Sequence, residues 1–132
     1  MGDIIKVAVL PIVDKKLFMC RKRELDYLVN LGGKLNPNES DEACAIRETE
    51  EEACCGVTDL AYYMTTRAPR QDEPGEIELR CYFGNLVGTP SINPNDKVYA
   101  HLWITRDWEG EGHTLPLSLS EVMPKLISDG YL

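Results

Sequence analysis

The chain has 132 residues, with 14 Lys+Arg, 22 Asp+Glu and a formal net charge of −8. With 43 % apolar and 27 % charged residues it can bury a core of its own, which argues against a disordered chain. No apolar run approaches the roughly 20 residues that span a bilayer, and the acidic balance speaks against bulk nucleic acid, which is bound by clustered Lys and Arg.

A divalent cation held between carboxylates and phosphates would still admit a small phosphate-bearing ligand. The start, Met1-Gly2-Asp3, carries no basic leader, so a cytoplasmic protein is expected. The five cysteines, Cys20, Cys44, Cys54, Cys55 and Cys81, form no Cys-x-x-Cys pair and read as free thiols in a reducing compartment.

In chain order, the β-branched run Ile4 to Val13 predicts a buried strand with an edge or bend at Pro11. Asp14-Lys15-Lys16 reads as a tight turn, and Leu17 to Cys20 returns as the partner strand, leading into Arg21-Lys22-Arg23. A short strand within Leu25 to Leu31 precedes Gly32-Gly33, adjacent glycines that signal special backbone or a close approach. Ser40 can cap a helix from Asp41 to about Ala53 or Cys55, with Asp41 and Glu42 at the positive end of its dipole and a stop near Gly56. Strands are predicted at Asp59 to Thr66, Glu76 to Val87 and Lys97 to Thr105, then a helix from Glu121 to about Ser128 capped by Ser120. The order gives a single α+β domain over 1–132.

Seven of the 22 acids fall in the 14 positions from Glu39 to Glu52. On an ideal helix of about 100° per residue, Glu48, Glu51 and Glu52 share one narrow sector. Ala43, Ile46 and Ala53 lie opposite and are expected to pack on a sheet, with Glu50 at the rim. Clustered carboxylates cost roughly 0.2–0.5 kcal/mol per like-charged pair. A hard cation such as Mg²⁺, which keeps some of its waters and shares carboxylates with substrate phosphates, would relieve that cost. A merely solvated acidic face accounts for the spacing equally well.

Gly33, Glu39, Arg47, Glu48, Glu51 and Glu52 stand at the spacing G-x5-E-x7-R-E-U-x-E-E-x-G-U, where U is bulky and aliphatic, and the chain thereby resembles the Nudix (MutT-like) hydrolases. It departs from the pattern at Thr49, Cys54 and Cys55, which stand for an aliphatic residue, a glycine and an aliphatic residue. Gly32-Gly33-Lys34, the segment Ala68 to Leu86 and the closing Ser120 to Leu132 resemble the family more loosely. The resemblance implies the Nudix fold, a mixed sheet sandwiched between helices.

It also implies Mg²⁺, with Mn²⁺ a substitute, held by Glu48, Glu51, Glu52 and the Gly32 carbonyl. Glu48, Glu51 and Glu52 would be the catalytic set, with Gly33, Glu39 and Arg47 holding loop and helix together. The implied reaction is attack of water on phosphorus in a nucleoside diphosphate joined to a moiety X. The alternative implied is a Nudix-fold nucleotide-binding or sensor module without turnover, because Lys97 and Ala100 stand where similar proteins carry glutamate before Trp103. Asp96, Asp107 and Glu109 are the nearby acids that could substitute.

Arg21, Arg23, Tyr27 and Lys34 are the candidate substrate contacts, each balanced against a surface or packing role. His101 and His113 read as structural and loop residues. The expected partner is a small nucleotide, and a homodimer is compatible with the sequence.

Overall fold

Pro11 divides the first apolar run, because it has no N–H to give to a ladder. Strand β1 covers Ile4–Leu10 and β2 only Ile12–Val13. The Pro11 carbonyl accepts from Phe18 N. Asp14 and Lys15, at φ 52° and 59°, make a two-residue turn of the type that matches strand twist, and β3 follows at Lys16–Lys22. The computed structural model describes residues 2–132.

The next strand, β4, is Val29–Lys34 and runs through both glycines, which the sequence had suggested would follow a strand. Gly32, at φ 125°, lies so close to β1 that a Cβ there would overlap the Val7 carbonyl oxygen. Helix α1 occupies Asp41–Ala53 as predicted, and Ser40 Oγ accepts from Ala43 N at 3.1 Å. Its stop is Cys54, in left-handed conformation at φ 53°, where glycine is the usual residue. The glycine at position 56 instead begins β5.

Strands β5 (Gly56–Pro69), β6 (Glu76–Val87) and β7 (Val98–Ile104) follow. β5 is longer than predicted at both ends because its pairing with β6 runs from Gly56 to Pro69, across an irregular register near Asp59, at φ 56°. A short 3-10 turn at Leu117–Leu119 leads into α2, Val122–Ser128. Ser120 belongs to this turn and donates its N–H to Leu117 O. Glu121 takes the capping position, without a side-chain bond, so the predicted serine cap is absent.

The sheet order is β2-β3-β4-β1-β6-β5, with β7 also paired to β3; β1 and β6 are parallel and the remaining pairs antiparallel. Alternation along each strand sends Ala8, Leu10, Leu17, Met19, Leu79 and Cys81 to one face, beneath Met123 and Leu126 of α2. Val7, Val9, Phe18, Cys20 and Leu31 point to the other face, against Cys44, Ala45 and Ala53 of α1. The sheet therefore lies between the two helices. The acid-bearing helix crosses β4 at its glycines, which positions everything that follows.

Candidate active site

Helix α1 is rotated from its expected setting. Cys44, Ala45, Thr49, Glu52 and Ala53 are buried, whereas Ala43, Ile46 and Glu50 face solvent. The helix thus packs through the sector that carries Glu48 and Glu52, and the predicted packing of Ala43 and Ile46 does not occur. Gly33 explains this choice: a Cβ there would lie 2.6–2.7 Å from the Glu48 carboxylate, so only the bare backbone leaves room. Thr49 is tolerated in the interior because its hydroxyl donates to Ala45 O at 2.7 Å.

The three carboxylates form a burial gradient. Side-chain exposure is 2 % for Glu52, 13 % for Glu48 and 50 % for Glu51. Glu52 Oε1 accepts from Gly32 N at 2.9 Å and Oε2 lies 3.2 Å from Lys22 Nζ. Burial pushes the Glu52 carboxyl up to about 7, against the opposing pull of Lys22 and the Gly32 N–H. Burial also raises Glu48, against the opposing pull of Arg47.

Arg47 organises the other acids. Its Nε and Nη2 reach both oxygens of Glu39 at 2.8 and 2.9 Å, Nη1 donates to Glu48 Oε1 at 2.7 Å, and Nη2 donates to the Lys34 carbonyl at 3.1 Å. Glu51 stands 3.5 Å from the same guanidinium. The hydrogen bonds from Arg47 hold the Glu39 carboxyl down at about 2. Asp41, one residue into the helix, accepts from Arg80 at 2.9 Å and from Tyr82 at 2.6 Å, which pins the start of α1 to β6.

Beside the helix lies a cleft of about 370 Å³ whose wall includes Lys6, Lys22, Tyr27, Gly32, Gly33, Lys34 and Glu48. That volume is at the small end of ligand pockets. Of the expected substrate contacts, Tyr27 and Lys34 are on this wall. Arg21 and Arg23 are not; Lys22, between them, is. A register shift between Arg21 and Lys22 in the β3–β7 ladder interrupts the strand alternation at that point.

Of the three helix carboxylates Glu48 lines the cleft, whereas Glu52 reaches it only through its partners Gly32 and Lys22 and Glu51 is not on its wall. Asp96 accepts from Val98 N at the start of β7, near enough to Lys22 to favour its ammonium form. Asp107 and Glu109 lie beyond the far end of β7, and Glu109 lines a separate cavity beside α2. His101 is 2.8 Å from the Glu52 carbonyl and packs against Phe18, a structural tether between β7 and the end of α1. Lys6 is a cleft residue without a sequence signal, because it hides within an apolar strand run; Lys22 belongs to the basic cluster expected near phosphate, but strand alternation favours Arg21 and Arg23, and its pairing with Glu52 had no local signal.

Among the described residues, no three His, Cys, Asp or Glu side chains converge on a ready metal site. The donors nonetheless suit a hard divalent cation, being carboxylates in one row on a helix, one of them filling the space a Cβ at Gly33 would take. A family model described as the NUDIX domain matches residues 4–126. The chain belongs to the NUDIX family. No curated protein matches it.

Solved structures agree on the NUDIX fold. The chain is similar to the ORF135 protein of E. coli, with TM-score 0.77 and 22 % identity over 97 % of this chain and 91 % of that one. It is similar to a MutT NUDIX hydrolase from Burkholderia pseudomallei, with TM-score 0.76 and 16 % identity over 98 % and 99 %. A MutT protein from Methanosarcina mazei Go1 gives TM-score 0.76 and 18 % identity over 99 % and 97 %. At such identities these likenesses speak for the fold. Family membership makes the chain a Nudix-type pyrophosphohydrolase, one of the enzymes that hydrolyse nucleoside diphosphates linked to another moiety.

Proposed function

We propose that this NUDIX protein is a Mg²⁺-dependent hydrolase, with Mn²⁺ as substitute, of a small nucleoside di- or triphosphate derivative in the cytoplasm, the whole of 1–132 acting as one domain. The observation that carries the reading is the row of Glu48, Glu51 and Glu52 beside a cleft whose wall bears Lys6, Lys22 and Lys34. Acids that hold a cation and lysines that hold phosphate meet there.

Glu48, Glu51 and Glu52, with the Gly32 carbonyl, would hold the cation. When bound, it polarises the phosphoryl oxygens and acidifies the attacking water. Arg47 keeps Glu48 and Glu51 on one side of α1 by binding the first and standing beside the second, while Glu39 anchors Arg47 in turn. Lys22 neutralises Glu52 until another cation takes that role. Tyr27 offers an aromatic face to a base and Lys34 a charge to phosphate.

Of Asp96, Asp107 and Glu109, Asp96 is the best placed to take the proton of water, since it lies at the Lys22 end of β7. A hydrolysis screen over nucleoside triphosphates, nucleotide sugars and dinucleoside polyphosphates, with added Mg²⁺ and Glu52→Gln as control, tests the reading. Turnover that needs the metal and is lost in Glu52→Gln is expected. Nucleotide binding without turnover would overturn it in favour of a binding module.

A further inference from the structure

Lys6 on β1 and Lys34 on β4 are directly opposed partners in the antiparallel ladder. Side chains so paired have Cβ atoms about 4.5–5.5 Å apart, and like charges in that relation destabilise a sheet. Both residues line the cleft, with Lys22 as a third ammonium group on the same wall. Burial and the charge of Lys22 together pull the pKa of Lys6 below that of an ordinary lysine.

The acids nearby relieve this crowding only in part: Asp72 and Glu52 favour the Lys6 ammonium, yet its pKa stays lowered because each of them already has a cation of its own. Asp72 receives two hydrogen bonds from Arg70, at 3.0 and 2.9 Å. Glu48 accepts from Arg47, and Glu52 pairs with Lys22. Among the described residues, the lysine ion pairs are Lys22–Glu52 and Lys125–Asp129, so Lys6 and Lys34 have none. In a chain of net charge −8, two opposed, unpaired lysines on a cleft wall are a site prepared for an anion.

We infer that Lys6 and Lys34 form an anion site on the cleft wall, apart from the carboxylate row that takes the cation, and that the moiety X of the substrate therefore carries a phosphate of its own. This rests on the hydrolase reading and narrows it to a nucleoside triphosphate or a nucleotide joined to a phosphorylated group, over a nucleotide joined to a neutral sugar. Lys6 is then a residue that determines specificity.

Isothermal titration of the full chain with inorganic triphosphate, in the absence of divalent cations, tests the site directly. Lys6→Gln and Lys34→Gln are each expected to weaken binding about tenfold or more, the loss of one charge-assisted hydrogen bond. Lys15→Gln, in the exposed β2–β3 turn, is the control and binds as the wild type. Thermal melts of the ligand-free proteins are expected to show Lys6→Gln at least as stable as wild type, since a repulsion is removed. Triphosphate binding unchanged in Lys6→Gln, or weakened equally in Lys15→Gln, overturns the site.

A second readout separates this inference from the reading beneath it. The kcat/KM preference for substrates with phosphorylated X over neutral X is expected to fall about tenfold in Lys6→Gln. An unchanged preference refutes the specificity role while the hydrolase reading stands. Wild-type protein that binds triphosphate through Lys6 yet hydrolyses nothing refutes the hydrolase reading and upholds the anion site.

Discussion

Glu52 offers a quantitative test of the site without any substrate. It is 2 % exposed, and burial raises its carboxyl from 4.5 to about 7 in the folded chain. Because the folded pKa lies above the unfolded one, the native state binds the proton more tightly between those values. The stabilising contribution of the protonated form is thus complete below about pH 4.5 and lost as pH rises through about 7.

At 1.36 kcal/mol per pKa unit, this displacement corresponds to on the order of 3 kcal/mol. Urea unfolding in EDTA across that range is expected to show stability falling with pH. Glu52→Gln keeps an oxygen for the Gly32 N–H but cannot ionise, so the difference between the two curves isolates Glu52 from Glu48, which shifts in the same direction. Added Mg²⁺ favours the ionised carboxylate and should flatten the wild-type curve while leaving the variant largely unmoved. Wild type and Glu52→Gln falling in parallel through this window would refute the burial argument.

Three further outcomes follow from the same geometry. Gly33→Ala drives a Cβ into the Glu48 carboxylate that Arg47 holds in place, and should cost about 1–3 kcal/mol in chemical unfolding together with most of the metal-dependent turnover. Cys54→Gly relieves a left-handed conformation worth about 1–2 kcal/mol at the price of about 0.5–1 kcal/mol of chain entropy, so an unfolding free energy unchanged or raised by up to about 1.5 kcal/mol is expected from urea denaturation. Asp96→Asn preserves an acceptor for Val98 N but removes the charge beside Lys22; kcat should fall with little change in stability, whereas Asp107→Asn should leave kcat intact.

The helix that carries the site was legible because its signals are local: the Ser40 hydroxyl, the acids behind it and the spacing of Glu48, Glu51 and Glu52 all lie within a few turns. Its orientation was not legible. Amphipathic reasoning sends carboxylates to water and Ala43 and Ile46 to the sheet, but the room left by Gly33 across the fold reverses the preference. The glycines themselves read as punctuation, yet they are a strand interior whose missing side chains admit a neighbour. Within the basic cluster Arg21 and Arg23 are favoured over Lys22 by strand alternation, which the register shift after Arg21 breaks. Lys6 was hidden for a different reason: its significance lies in an opposed lysine 28 positions later, and only the β1–β4 register brings the two together.

The left-handed turn that ends α1 also leaves the protein with a built-in reporter. Cys20, Cys44, Cys55 and Cys81 are buried, and Cys54 alone among the five is exposed. A maleimide fluorophore therefore attaches at one point of the natural sequence, two residues beyond Glu52, where the arrival of a cation among the carboxylates can be followed as a change in light.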